Sequence, residues 1–231
     1  MGRADKVTRG VGDTETRGQG DKEDQFTAWA VGGRPSSVAL AVKRGFDLVV
    51  ASAFLLVLSP LMALIAVAIK RVDRGPILFI QDRVGKGQSL FRCLKFRTMV
   101  VGAERQGTNV TADDARITGV GRIIRRWTFD EIPQLWNVLR GDMSIVGPRP
   151  WVPAEAAYCD DLQLRRFSVR PGMAGWAWIH GRNEVPWEKR IELDLWYVDH
   201  WSVRLDVYIL FRSFVLALRR KGVYGGEGER G

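Results

Sequence analysis

The chain has 231 residues, enough for one domain of ordinary size with appendages. Its formal charge is +9, from 35 Lys and Arg against 26 Asp and Glu, which suits an anionic partner: nucleic acid, anionic lipid or a phosphorylated substrate. Two cysteines (Cys93 and Cys159) and two histidines (His180 and His200) argue against a disulfide framework, a thiolate site or a His-rich zinc or iron site, so a metal would be held by carboxylates, which favour magnesium or manganese.

Residues 1–25 are rich in Gly and mixed charge and lack the apolar core of a signal peptide, so 1–41 reads as a disordered polar tail. Within it, Gly32-Gly33-Arg34-Pro35-Ser36-Ser37 reads as a linker ending where ordered structure begins. Leu48 to Ile69 is an apolar run with Ser59-Pro60 in its middle. It is about long enough to cross a bilayer once, for which roughly 20 apolar residues are needed. Lys43 and Arg44 precede the run, and Lys70, Arg71 and Arg74 follow it. Lys and Arg concentrate on the cytoplasmic side, so both flanks belong on one side, which one straight span does not satisfy. A helix over 44–70 that enters, breaks at Pro60 and returns does satisfy it; a Pro-kinked straight span is the alternative. Ser59 is placed to bond a carbonyl freed at the break, and Lys43 and Arg44 to anchor the entry.

After the turn signal Asp73-Arg74-Gly75-Pro76, Ile77 to Arg83 and Ser89 to Met99 read as strands joined by Gly85-Lys86-Gly87. Lys95 and Arg97 share one face of the second strand, either solvated or turned toward phosphates or headgroups. Residues 100–121 read as a loop and Arg122 to Leu139 as helical, with Ile123, Ile124, Trp127, Ile132, Leu135, Trp136 and Leu139 largely at helical spacings. Bordering arginines make an interfacial position and a core-packed amphipathic helix comparable readings. Thr128-Phe129-Asp130-Glu131 fits a capping box that would start a new helix, with Trp127 and Ile132 spaced for a hydrophobic staple; Pro133 sits one place too deep, which a later cap would repair. Gly141-Asp142-Met143-Ser144 ends the helix, and Val146-Gly147-Pro148-Arg149-Pro150 is rigid and extended. Helical spacing resumes over Pro153 to Arg166, Met173 to Ile179 suits a strand, and Trp187 to His200 a helix. Val207 to Leu218 is too short to span comfortably and suits a surface-lying helix; 223–231 is a flexible tail.

Asp130-Glu131 is the leading catalytic candidate. An Asp carboxylate can attack a phosphoryl group, and a neighbouring carboxylate can hold a metal that neutralises phosphate oxygens. Adjacent residues do not share a helix face, so the pair can serve one site only at a helix end or between elements. Taken alone such a pair is ordinarily solvated surface. Arg125, Arg149 and Arg182 each lie beside Pro, Gly or a helix end, and arginine is suited to bidentate phosphate contacts. Together with a membrane segment they point to a diphosphate substrate handled at the lipid surface.

Lys43-Arg44-Gly45-Phe46-Asp47, the Ser59-Pro60 break, Gln81-Asp82-Arg83-Val84-Gly85, Lys95-Phe96-Arg97-Thr98-Met99, Asp130-Glu131-Ile132-Pro133-Gln134-Leu135-Trp136-Asn137-Val138-Leu139, Gly141-Asp142-Met143-Ser144, Val146-Gly147-Pro148-Arg149-Pro150, Arg170-Pro171-Gly172 and Gly181-Arg182-Asn183 follow in that order. In this the chain resembles the bacterial sugar transferases, the monotopic phosphoglycosyl transferases, over Val42 to Gly222. The resemblance implies transfer of sugar-1-phosphate from a UDP-sugar to a polyprenyl phosphate, with release of UMP. It implies Asp130 as nucleophile, and Glu131 assisting with Mg2+ (or Mn2+) held by the pair. By the same resemblance Arg125, Arg149 and Arg182 bind phosphate and Asp206 lines the site, while Lys95, from the basic strand face, is counted with the phosphate- or nucleotide-binding set. The lack of an extra N-terminal membrane bundle matches the minimal catalytic form. Homodimers occur among relatives, though no stripe here establishes one.

The expectation is therefore an α+β, mainly helical domain at 42–222, with a re-entrant membrane helix, a small hairpin and interfacial helices. Its partners would be a UDP-sugar, a polyprenyl phosphate and membrane lipid at the cytoplasmic face of the inner membrane. Nucleic acid is not expected, because the basic residues alternate with Trp and Leu outside any recognised binding motif. Direct glycosyl transfer releasing UDP, or a non-enzymatic membrane scaffold, are the competing functions.

Overall fold

The computed structural model describes residues 35–103, 111, 114–181 and 185–218; residues 1–34, Arg182 and residues 219–231 lie outside the described residues, and the end of the expected tail, from Ser37, is already helical. The apolar run belongs to one helix, α1 (Ser37–Asp73). Ser36 caps it, accepting from the Ala39 amide at 3.1 Å, and Arg74 closes it in the left-handed region at φ 55°. The helix is continuous through Pro60. Proline removes the bond that its amide would give to the carbonyl four residues back, Leu56, and Ser59 Oγ donates to that same carbonyl at 2.8 Å. The interruption expected at Ser59-Pro60 is thus one replaced hydrogen bond.

Only 11% of the most apolar window of α1 is buried, with Leu56 and Val57 each more than 70% exposed, unlike the core helix of a soluble protein. Ala51 near its start and Ile65 and Ile69 near its end nevertheless join one hydrophobic core with Ile124, Leu135, Val138, Ile145 and Ile209. Both ends of α1 are fastened to the same body.

Strands β1 (Leu78–Val84) and β2 (Leu90–Phe96) form the expected hairpin, centred on Gln81 opposite Cys93. Helix α2 (Gly119–Arg126) starts earlier than its apolar pattern indicates, because Thr118 Oγ1 accepts from the Gly121 amide at 2.9 Å and caps it. The helix then ends at Trp127, so Arg122 to Leu139 is two helices. The capping box at Thr128 does not form: Thr128 sits at φ 59° with no side-chain cap bond, and Trp127 stacks on Phe129 instead of stapling to Ile132. Phe129–Glu131 is a 3-10 turn, and α3 (Gln134–Arg140) begins only after Pro133, whose missing amide needs no partner in a first turn. Ile124, Ile132, Leu135 and Val138 are core, whereas Ile123, Trp127 and Trp136 are exposed, so the segment packs on the core by one face and leaves an apolar face open.

Strand β3 (Ser144–Val146) pairs in parallel with β4 (Gly172–Ala174), Val146 opposite Ala174. The crossover is α4 (Pro153–Ala156), α5 (Asp161–Leu164) and a 3-10 turn at Arg165–Ser168, three short pieces in place of one helix. A Cβ on Gly172 would lie 2.0 Å from the Gly147 amide nitrogen, so the strands meet with no room for a side chain. The stretch expected as a strand over Met173 to Ile179 turns helical at α6 (Trp176–Ile179). Helices α7 (Trp187–Asp199) and α8 (Val203–Leu218) complete the fold; α8 buries Asp206, Ile209 and Ser213 and exposes Val207, Tyr208, Phe211 and Phe214.

Candidate active site

Because Thr128 turns the chain and Pro133 delays α3, Asp130 and Glu131 sit between two helices rather than along one. This is the placement in which neighbouring carboxylates can serve one site. Glu131 Oε1 accepts from Lys95 Nζ at 2.8 Å and from Arg149 Nη2 at 3.3 Å. Lys95 reaches it from β2, so the basic strand face is turned to a protein carboxylate, neither to solvent nor to headgroups; Arg97, just past the strand, is buried. Burial alone would raise the pKa of Glu131, but Lys95 and Arg149 outweigh it and hold the carboxyl at about 2.

Asp130 is the counterpart. Burial first and the Glu131 charge second raise it to about 6, against the opposing pull of Lys95 and Arg125. The two carboxylates are thus pushed apart in acidity, a pattern that assigns distinct roles to paired groups. Arg125 is tied down from α2, its Nε donating to Thr98 Oγ1 at 2.7 Å.

Arg149 follows β3 in the Gly147-Pro148-Arg149-Pro150 segment, and its backbone is held by a residue not singled out in the sequence. Arg166 Nη2 donates to the Arg149 carbonyl at 2.9 Å and to Asp194 Oδ2 at 2.5 Å, while its guanidinium lies 3.6 Å from the Trp151 ring centroid. Arg166 and Asp194 are each 1% exposed. Arg83 fastens the next turn, donating to the Pro150 carbonyl at 3.0 Å.

Asp206 is elsewhere. It is fully buried and accepts from Lys43 Nζ at 2.7 Å, Tyr197 Oη at 2.7 Å and Trp201 Nε1 at 3.1 Å, with no bond to Asp130 or Glu131. Lys43 also reaches Asp47 at 3.3 Å and the Val146 carbonyl at 3.1 Å. Arg44 donates to the Val138 and Leu139 carbonyls at 2.7 and 2.8 Å, capping the last turn of α3. Both residues therefore face protein rather than headgroups, and fasten α1 to the body. Asp47 completes this second cluster by accepting from Ser144 Oγ and the Ile145 amide.

Among the described residues no group of three His, Cys, Asp or Glu side chains is placed to hold a metal unaided. Asp130 and Glu131 offer two hard oxygen donors. They fit a magnesium or manganese ion that takes its remaining ligands from water and substrate phosphate, the way magnesium is ordinarily bound.

Residues 38–220 match the model of the family described as bacterial sugar transferase. The chain is 43% identical over 185 residues to an uncharacterized sugar transferase EpsL of Bacillus subtilis, covering 80% of this chain and 91% of that protein. It is 40% identical over 200 residues to an undecaprenyl-phosphate galactose phosphotransferase of Salmonella typhimurium, covering 79% of this chain but 42% of that protein. It is 40% identical over 189 residues to the UDP-N-acetylgalactosamine-undecaprenyl-phosphate N-acetylgalactosaminephosphotransferase of Aeromonas hydrophila, covering 78% of this chain and 44% of that protein. The chain belongs to the bacterial sugar transferase family.

Proposed function

We propose that this chain transfers sugar-1-phosphate from a UDP-sugar to a polyprenyl phosphate at the cytoplasmic membrane face, releasing UMP, with Asp130 as the nucleophile. The observation that carries the reading is the asymmetric carboxylate pair: Glu131 is engaged by Lys95 and Arg149, while Asp130, with its pKa near 6, is ionised at neutral pH in a partly dehydrated setting. The names of the Salmonella and Aeromonas relatives, which couple a sugar phosphotransferase to undecaprenyl phosphate, support the same reaction class.

In the first step an Asp130 carboxylate oxygen attacks the sugar-proximal phosphorus. The bond from that phosphorus to the bridging oxygen breaks, and UMP leaves with the electron pair. In the second, an oxygen of the polyprenyl phosphate attacks the same phosphorus, the acyl-phosphate bond breaks, and Asp130 returns as a carboxylate. Lys95, Arg125 and Arg149 stabilise charge spreading over the phosphate oxygens. Magnesium bound by Asp130 and Glu131 would add charge neutralisation. Arg182 is assigned to phosphate by family resemblance.

The attachment of both ends of α1 to one body supports a monotopic placement, in which the exposed residues of the helix lie in the bilayer. The lipid phosphate and the soluble donor would then meet at headgroup depth.

The test is nucleotide release from a panel of UDP-sugars by protein purified in membrane mimetic, with polyprenyl phosphate and with or without Mg2+. Mg2+-dependent UMP is expected, and Asp130→Asn should abolish both turnover and the phosphosugar-enzyme. UDP release would indicate direct glycosyl transfer, and full activity in Asp130→Asn would refute the nucleophile.

A further inference from the structure

The hairpin is a two-stranded sheet, with β1 along one edge of β2. The other edge of β2 meets α3, and one side chain closes it. Asn137 Oδ1 accepts from the Leu94 amide at 3.0 Å, and its Nδ2 donates to the Arg92 carbonyl at 2.8 Å. The second Nδ2 hydrogen goes to Asp142 Oδ2 at 3.0 Å. These partners settle the orientation of the amide, because a backbone N–H only donates and a backbone carbonyl only accepts. Asn137 thus gives β2 the donor and the acceptor that a third strand would otherwise offer.

Asn137 is 0% exposed, a setting that admits a polar side chain where its groups are met. Packing alone would be served by a residue like its neighbour Val138, which is equally buried. The Asn137 carbonyl in turn accepts from the Gly141, Asp142 and Met143 amides at 3.1, 3.0 and 3.3 Å, so the end of α3 folds back over it. The residue is therefore held at both its backbone and its side chain.

What Asn137 fixes lies one residue beyond the clamp. Lys95 follows Leu94, and its ammonium meets Glu131 at 2.8 Å. Glu131 stands upstream of Asn137, on the 3-10 turn that leads through Pro133 into α3. One short unit of chain thus carries both the carboxylate and the amide that holds the strand bearing its cation. A slide of β2 along α3 by one residue would move the Lys95 backbone about 3.3 Å, further than that contact is long.

We propose that Asn137 is a positioning residue for the reaction: its side-chain amide locks β2 against α3 and so keeps the Lys95 ammonium on Glu131, beside the attacking carboxylate. The effect on rate rests on the phosphosugar-transfer reading, and the effect on placement does not.

The test uses the full chain in nanodiscs. Modification by an amine-reactive ester, quantified for each lysine by mass spectrometry, reads whether Lys95 is held. In Asn137→Ala, Lys95 should react several-fold faster, with Lys43, buried against Asp206 and Asp47, unchanged. A general loosening of the fold would free both. Single-turnover formation of the phosphosugar-enzyme at about pH 8 should slow roughly 10- to 100-fold, the upper figure being the scale of a displacement near 1 Å. In a Lys95→Met background the same substitution should slow it by no more than about twofold further, since effects that run through one contact do not add. Asn137→Ser, which keeps a hydroxyl able to meet one of the two β2 groups, should give an intermediate Lys95 reactivity and keeps the proposal testable if Asn137→Ala fails to fold. Wild-type reactivity of Lys95 in a folded Asn137 variant would overturn the proposal, and so would equal slowing with and without Lys95. UDP in place of UMP from the wild type would overturn the phosphosugar reading alone, and Lys95 reactivity would still decide the placement.

Discussion

Arg166 offers the sharpest energetic test of how Arg149 is held in place. Replacing it with Met keeps most of the aliphatic bulk but leaves the Asp194 carboxylate, 1% exposed, without its cation. Orphaning one partner of a buried pair costs about 3–5 kcal/mol. The lost stack on Trp151 adds on the order of 1 kcal/mol. The sign with pH follows from Asp194. Burial already raises the Asp194 pKa against the pull of Arg166, and Arg166→Met raises it further, so the added penalty is absent below the unfolded pKa and grows as pH rises from about 4 toward 7. Thermal unfolding in nanodiscs at pH 4.5 and pH 7.5 reads this directly: the deficit should be several-fold larger at the higher pH. In Arg166→Met/Asp194→Leu the carboxylate is gone, so most of the stability should return. Activity should not, because the Arg149 carbonyl still lacks the donor that holds it at 2.9 Å. A double variant no more stable than Arg166→Met would refute the orphaned-charge argument; one with full activity would refute the positioning role.

Asp130 attacks only as the carboxylate, so single-turnover formation of the phosphosugar-enzyme should fall tenfold per pH unit below about 6, and Lys95→Met, by removing a charge that lowers Asp130, should move that limb to higher pH. A rate flat between pH 5 and 7 would contradict the raised pKa. Lys43→Met should destabilise the protein by about 3–5 kcal/mol, because Asp206 and Asp47 are at most 1% exposed and share that one ammonium. Protease protection of α1 in vesicles should fall with it, and unchanged stability would show that the cluster does not fasten the helix. Ser59→Ala should cost about 1 kcal/mol by leaving the Leu56 carbonyl unmet, and Ser59→Ala/Pro60→Ala should restore that bond through the Ala amide. Equal unfolding midpoints for Ser59→Ala and wild type would place no weight on the replaced bond.

The parts legible in the sequence are those fixed by neighbours a few residues apart. The alternation of Leu78 to Phe96 about a Gly-rich turn produced the hairpin within a few residues, since strand pairing across a short loop is a local event. The apolar length of α1 and the Ser59-to-Leu56 bond follow from composition and from what proline removes. Asp130-Glu131 was legible as a pair, and its need to sit between elements followed from helix geometry.

The misreadings arise where a distant contact outweighs a local preference. Thr128 through Glu131 has capping-box spacing, yet Glu131 goes to Lys95 and Arg149, 36 and 18 positions away, and Thr128 takes a left-handed conformation that a threonine adopts only under tertiary constraint. Lys43 and Arg44 look like headgroup anchors by position, but buried carboxylates and the bare carbonyls at the end of α3 draw them inward, 103 residues along the chain for the Val146 contact. Arg166 carries no motif at all, and its importance comes from where the crossover brings it. The sequence by itself determined the family, the long apolar helix and the candidate carboxylate pair, because motif order, apolar length and residue chemistry are properties of the linear chain. Only the tertiary structure decided which of the two carboxylates is held by cations, because a buried charge takes its acidity from cations that folding brings within 4 Å, and linear spacing does not encode that distance.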